Sequence, residues 1–184
     1  VVSKMSHAFV SPDLVRSWFS RAMSDMYKSE VPLYESLMDL VAQVNAVTLQ
    51  ARPQLADQLQ RTGESERLDI ERHGAIRLGT PQELATMRRV FAVMGMEPVG
   101  YYDLSPAGVP VHATAFRAID EASLQLSPFR VFTSLLRLEL ISDESLRKKA
   151  AQILASRQIF TQRLLELIQL FENEGGLTQE QAHE

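Results

Sequence analysis

The 184-residue chain has no cysteine, and this absence restricts both its cross-links and its metal chemistry. Without thiols the chain forms neither disulfide bonds nor thiolate metal sites. The absence fits a reducing compartment, and we expect a cytoplasmic location. Long apolar runs are also missing. None approaches the roughly 18 residues that a membrane-spanning helix requires, so we expect no membrane partner.

The chain also lacks an excess of positive charge. Its 19 basic and 23 acidic residues give a net charge of −4, and no basic stripe stands out. Nucleic acid is therefore not an expected partner. The 45% of apolar and 23% of charged residues are typical of a globular protein. The length suits one good-sized domain or a large piece of a bigger protein, and formation of a homo-oligomer stays open.

Residues 1–70 are predicted to form a helical segment. Ser11-Pro12 is a helix start, because serine caps a first turn and proline is tolerated at its first position. A second helix is predicted to end near Arg52-Pro53. Its apolar residues recur at intervals of three and four, namely Leu33, Leu37, Leu40, Val44 and Val47.

A different pattern occupies residues 71–140. His73–Leu78 reads as a strand, and Thr80-Pro81-Gln82-Glu83 is a capping box that opens a helix. Three further strands are predicted over residues 98–103, 109–117 and 129–136. The order is strand, helix and three strands, so the predicted fold class is α+β.

Residues 141–184 are again predicted to be helical. Two helices start near Ser142 and Thr161, and glycines end the second one. A further capping box, Thr178-Gln179-Glu180-Gln181, lies close to the last residue. A helix start with so little chain behind it predicts an N-terminal fragment of a longer protein, with the remainder of its own polypeptide as a partner.

The most informative strand is His73–Leu78. Side chains alternate across a strand, so His73, Ala75 and Arg77 share one face and the apolar side chains can pack on the other. We expect the imidazole and the guanidinium to lie roughly 6–7 Å apart along the strand. A neutral imidazole is the commonest metal ligand, and a guanidinium binds a carboxylate through two parallel hydrogen bonds. The pattern predicts a metal ion and the acid end of a substrate beside one strand.

Both residues also have ordinary interpretations. A lone histidine on a strand is more often a hydrogen-bonded or surface residue than a ligand. A single arginine is most often a surface or ion-pair residue. Their position on one face strengthens the functional interpretation of His73 and Arg77, but the ordinary interpretations stay open.

The order of elements is that of a module of the vicinal-oxygen-chelate metalloenzymes, in which two modules curl around one metal. Ferredoxin-like folds use similar pieces, so the order alone is a weak argument. Such enzymes often take a ligand from the first strand of a module, and His73 lies on that strand.

Several strings of residues occur in one order along the chain: Glu71–Arg77 with Gly79-Thr80, Gln82–Thr86, Phe91–Met96, Tyr101–Ser105, Ala107–His112 and Pro128–Arg137. Together they resemble the 2-oxoadipate dioxygenase/decarboxylase family, also called 2-hydroxyglutarate synthase. The resemblance covers most of residues 12–182, and it is specific because many strings agree at once.

This resemblance implies an activity and residue roles. The family's enzymes bind ferrous iron through two histidines and one glutamate. With dioxygen they convert 2-oxoadipate to 2-hydroxyglutarate and carbon dioxide, a step in lysine breakdown. His73 then corresponds to the first iron-ligand histidine and Arg77 to the arginine that binds the substrate carboxylate. The other ligands lie in a later part of the family's chain, so these 184 residues alone are expected to be inactive.

Two other classes of function stay open. One is a non-catalytic module that acts in binding or assembly. The other is a metal-dependent isomerase or lyase of the vicinal-oxygen-chelate superfamily, which needs no dioxygen. A downstream histidine and glutamate in strand contexts would favour an enzyme over the binding module.

Other polar side chains are weaker candidates. His112 is more often a packed histidine than a substrate contact. Thr133 and Ser134 point to opposite faces of their strand, so at most one of them can reach a site. Glu139 could imitate a strand-borne carboxylate ligand, but we do not favour this.

Overall fold

The computed structural model describes residues 8–65, 68 and 73–184. The residues described form helices, four strands and short 3₁₀ turns. The helices are α1 Pro12–Glu30, α2 Tyr34–Ala51, α3 Pro53–Arg61, α4 Pro81–Val93, α5 Glu121–Leu126, α6 Glu144–Ser156, α7 Gln162–Glu174 and α8 Gln179–His183. The strands are β1 His73–Leu78, β2 Glu97–Asp103, β3 Val111–Arg117 and β4 Arg130–Leu136.

The chain divides into two compact units. The first contains the residues up to Trp18 together with His73–Glu184, and the second contains the residues between them. In the described part of the second unit, α2 and α3 contact each other, and the apolar stripe predicted for α2 is exposed at Leu37, Leu40 and Val44. The three-part division suggested by the sequence stays a prediction.

The first unit is built on a mixed sheet with strand order β1-β4-β3-β2. β1 runs parallel to β4, and the other two pairings are antiparallel. The first and last strands of the module are therefore neighbours in the sheet. The α+β class and the predicted order of a strand, a helix and three strands are confirmed, with α5 added between β3 and β4.

One face of this sheet is covered, and we call it the packed face. Leu78, Phe116, Val131 and Thr133 are buried there, and the ring of Phe116 lies 4.8 Å from that of Phe91 on α4, centroid to centroid. The helix α4 begins at the predicted capping box, in which Thr80 and Glu83 bond each other's backbone N–H groups. The apolar stripe of α4 thus holds the sheet from one side.

Arg16 joins several parts of the first unit. Its side chain is completely buried on α1. Nη1 donates to the carbonyl of Met94 at 2.7 Å, Nε to that of Ser127 at 3.1 Å, and Nη2 to that of Ser123 at 2.8 Å. Nη2 also contacts the carboxylate of Asp13 at 2.6 Å. A buried charge needs such partners, because an unpaired one is costly to desolvate.

Near the end of the chain, the predicted capping box is confirmed, with Thr178 and Gln181 bonding each other's backbone N–H groups at the start of α8. The ring of His183 on this helix stacks on Trp18 at a centroid distance of 3.9 Å. None of the helices in the described ranges combines the length and the apolar character needed to cross a bilayer.

Candidate functional site

The other face of the sheet carries the residues predicted for a site, and we call it the open face. Along β1 the side chains of His73, Ala75 and Arg77 are exposed, while Gly74 and Leu78 are buried. This alternation confirms that His73 and Arg77 share a face. It also confirms that the apolar side of the strand packs inward. Glu71 and Arg72, which belong to the same string of sequence, lie outside the described residues.

The predicted spacing between His73 and Arg77 is wrong. The two residues are four positions apart along β1, whereas a separation of 6–7 Å corresponds to about two positions. At about 3.3 Å per residue, their Cα atoms lie about 13 Å apart. A flexible arginine stem can lean along the sheet, so the guanidinium can come closer to an ion at the imidazole than the two Cα atoms are to each other. This spacing suits an elongated ligand that reaches from one side chain to the other.

Strand register adds two polar neighbours to these residues. In the parallel pair, His73 is opposite Arg130 and Arg77 is opposite Ser134. Neighbouring strands are about 4.8 Å apart, so each pair of side chains projects from adjacent points of the open face. Arg130 is exposed and Ser134 is half-buried. The site therefore spans two strands.

Between these polar positions the open face is apolar. Phe132 on β4 pairs with Ala75 on one side and with Ala115 on the other. The ring of Tyr102 on β2 lies 6.3 Å from that of Phe132, centroid to centroid. Ala113, opposite Ser134, is buried although it faces the same way. The two neighbouring rings and the alanines beside them make an apolar floor on this face.

The end of β1 is fixed by a buried carboxylate. Glu83 accepts a hydrogen bond from the backbone N–H of Gly79 at 2.6 Å and forms an ion pair with Arg157 at 2.7 Å. The hydrogen bond from Arg157 lowers the pKa of Glu83, helped by the backbone N–H groups of Gly79 and Thr80. These contacts hold the turn that follows β1, at Gly79 and Thr80.

His112 lies on the packed side of β3 and therefore faces away from His73. Its Nε2 is 3.4 Å from a carboxylate oxygen of Asp103, and its Nδ1 contacts Tyr101 and Arg137. Hydrogen bonds from Ser105 lower the pKa of Asp103. The imidazole belongs to a hydrogen-bonded cluster at the rim of the sheet. This agrees with the interpretation of His112 as a packed histidine, which the sequence favours.

Glu139 belongs to the same cluster and is not on a strand. It lies in the 3₁₀ turn Leu138–Leu140, and its carboxylate accepts a hydrogen bond from Arg137 Nε at 2.6 Å. That bond lowers the pKa of Glu139. The carboxylate has a partner, and its position does not match a strand-borne metal ligand.

The described residues do not form a complete metal site by themselves. Within ranges 8–65, 68 and 73–184, no group of three or more histidine and carboxylate side chains is arranged so that it could hold a metal ion. A single exposed imidazole is a chemically suitable ligand for ferrous iron, but one ligand binds a first-row metal weakly. His7 lies outside the described residues. His73 thus fits as one member of a ligand set that these residues do not complete.

Sequence reasoning missed two residues of the open face. Arg130 and Phe132 could not be grouped with His73 and Arg77 from the sequence, because their neighbours depend on strand register. Ser134 was considered together with Thr133, and the structure separates them: Thr133 is buried and donates to the carbonyl of Thr114 at 3.2 Å. The strand alternation in β4 is the signal that groups Phe132 with Ser134.

Comparison with known proteins gives concordant results. A family model described as 2-oxoadipate dioxygenase/decarboxylase matches residues 19–184. The chain is 66% identical over 169 residues to a 2-oxoadipate dioxygenase/decarboxylase of Pseudomonas putida, covering 92% of this chain and 36% of that protein. It is 59% identical over 175 residues to the enzyme of the same name in Escherichia coli, covering 95% of this chain and 39% of that protein.

Solved structures extend the comparison to the fold. The hydroxyglutarate synthase of Pseudomonas putida in complex with 2-oxoadipate matches with a TM-score of 0.90 and 64% identity, over 95% of this chain and 39% of that one. A glyoxalase superfamily protein from Ralstonia eutropha matches with a TM-score of 0.53 and 17% identity, over 96% of this chain and 49% of that one. The second match shows the fold alone. The chain spans well under half the length of the curated relatives that it matches.

Proposed function

The chain belongs to the 2-oxoadipate dioxygenase/decarboxylase family, and from this premise we propose that its whole protein converts 2-oxoadipate and dioxygen to 2-hydroxyglutarate and carbon dioxide. The observation that carries the proposal is the open face, where one strand presents an imidazole and a guanidinium at opposite ends of an apolar floor. We place the reaction in lysine breakdown in the cytoplasm. The solved relative with 2-oxoadipate supports the choice of substrate.

His73 is proposed as one ligand of a ferrous ion. It is exposed on the open face, and imidazole nitrogen suits iron. The remaining ligands would come from parts of the whole protein outside these 184 residues. Two histidines and one carboxylate leave positions open for a 2-oxoacid and dioxygen, and oxidation at those positions is the chemistry that the bound metal supplies.

Arg77 is proposed to bind the carboxylate at the far end of the substrate. A six-carbon 2-oxo diacid has about 5–6 Å between its keto carbon and its far carboxylate when it is extended. The separation of about 13 Å between the Cα atoms of His73 and Arg77, reduced by the lean of the arginine, leaves space for such a molecule. Remote binding of this kind orients the reacting end without taking part in the chemistry.

Two substitutions in the whole protein test these roles. His73→Ala should lose bound iron and all oxygen uptake with 2-oxoadipate. Arg77→Lys should keep its iron but lower kcat/KM by about 10- to 150-fold, because lysine loses one charge-assisted hydrogen bond of about 1.5–3 kcal/mol. An oxygen electrode, product analysis and iron measurement provide the three readouts.

The matched control is Arg88→Lys, an exposed arginine on α4 that should change neither iron content nor rate. Full iron content in an active His73→Ala protein would refute the ligand assignment. Equal impairment of Arg77→Lys on 2-oxoadipate and on a 2-oxoacid without the far carboxylate would refute the role of Arg77. Turnover without oxygen consumption would favour the isomerase or lyase class instead.

A further inference from the structure

The open face is organised in three successive rows that run across the strands. The first row contains His73, Arg130, Arg117 and Glu97, and the third contains Arg77, Ser134, Ala113 and Tyr102. Between them lies a row made of Ala75, Phe132, Ala115 and Gly100. The face therefore has polar groups at both ends and an apolar band in the middle.

This order matches the chemistry of an elongated diacid. Methylene groups gain most from contact with apolar surface, and the ring of Phe132 is the largest side chain of the middle row. The ring of Tyr102 lies beside it at 6.3 Å. A molecule that reaches from His73 to Arg77 must cross this row, so its far end arrives at the row that contains Ser134.

Ser134 is placed to act together with Arg77. The two are register partners on adjacent strands, with Cα atoms about 4.8 Å apart and side chains on the same face. Among the described residues its hydroxyl has no hydrogen-bond partner, whereas the hydroxyl of Thr133 on the opposite face donates to Thr114. A half-buried hydroxyl beside a guanidinium can donate to a carboxylate that the guanidinium already binds.

We propose that Ser134 is a further substrate-binding residue, which donates a second hydrogen bond to the far carboxylate of the substrate that Arg77 holds. This rests on the proposed function for the position of the substrate. In this arrangement β1 supplies the charge and β4 supplies both the apolar contact and the hydroxyl. The pair of strands then selects a diacid over a monoacid of equal length.

The test measures equilibrium binding to the iron-loaded whole protein, without oxygen, by calorimetry. The two ligands are 2-oxoadipate and 2-oxohexanoate, which has the same length but no far carboxylate. Ser134→Ala should raise the Kd of 2-oxoadipate by about 10- to 150-fold, as expected for one hydrogen bond to a charged group. The Kd of 2-oxohexanoate should stay unchanged.

Two further variants make the result specific. Ser134→Thr keeps the hydroxyl on a residue that strands accept readily, and it should bind 2-oxoadipate nearly as well as the wild type does. Ser145→Ala removes an exposed hydroxyl from α6 and should bind both ligands normally. Iron content measured in every sample shows that the metal end is intact.

Several results would overturn the assignment. These are an unchanged Kd for 2-oxoadipate in Ser134→Ala, an equal loss for both ligands, or a loss in Ser134→Thr as large as in Ser134→Ala. Wild-type protein that binds 2-oxoadipate but consumes no oxygen with it would contradict the proposed function and leave the role of Ser134 in binding standing. Wild-type protein that binds no 2-oxoadipate would overturn both.

Discussion

Replacing Arg16 by lysine should destabilise the first unit strongly, although the charge is kept. The guanidinium donates to three carbonyls and one carboxylate from a completely buried position. A lysine ammonium is a single point with a shorter reach, and it can keep Asp13 and at most one carbonyl. Two buried carbonyls then lose their partner at about 1–3 kcal/mol each, which gives about 2–6 kcal/mol in total.

Urea unfolding of the 184-residue chain measures this loss. The chain has one tryptophan, Trp18, two positions from Arg16 and stacked on His183, so its fluorescence reports on this region. Arg88→Lys is the matched control, because exposed substitutions usually change the free energy of unfolding by about 0.5 kcal/mol or less. A loss below about 1 kcal/mol for Arg16→Lys would refute the reasoning, since water or a shifted backbone would then satisfy the carbonyls.

Two further predictions concern the turn after β1. In the folded protein the pKa of Glu83 lies below its ordinary value of 4.5, chiefly because of the hydrogen bond from Arg157. The ionised carboxylate therefore stabilises the fold above about pH 4.5, and this contribution is lost as the pH falls through the folded-state pKa. Glu83→Gln should therefore have a lower free energy of unfolding than the wild type at pH 7, and this difference should shrink at acidic pH. Urea unfolding of both proteins at several pH values measures it, and a difference that does not change with pH would contradict the prediction. Gly79→Ala should cost about 1–3 kcal/mol, because a Cβ there would lie 2.1 Å from Leu154 Cδ2. The cost should fall when Leu154→Ala is also present, and an equal cost in both backgrounds would exclude this clash as the cause.

Local sequence signals identified most of the elements but not all of their ends. The capping boxes at Thr80 and Thr178 are local patterns, and both helices begin where these patterns predict. Leu33 belongs to the predicted apolar stripe of α2, yet it precedes that helix with a φ of 66°. The short helix α5 was not predicted, because its six residues are too few to show a helical period.

Only part of the candidate site could be predicted from the sequence. Alternation within β1 is a local property, so it places His73 and Arg77 on one face correctly. The neighbours of these residues depend on which strand pairs with β1 and in which register, and no local pattern gives that information. Arg130, Phe132 and Ser134 enter the site through this pairing alone.

The parallel pairing of β1 with β4 has a consequence for how the site comes into being during folding. His73 and Arg130 are opposite each other in the sheet but 57 residues apart in sequence. Contacts of such long range require a large loop to close first, and they tend to form late. A nascent or partly unfolded chain, in which β4 has not yet paired with β1, therefore lacks the site. A ligand held by both strands would bind only the completed module and would stabilise the whole module against unfolding. At ligand concentrations well above the Kd, this stabilisation grows with the logarithm of the ligand concentration.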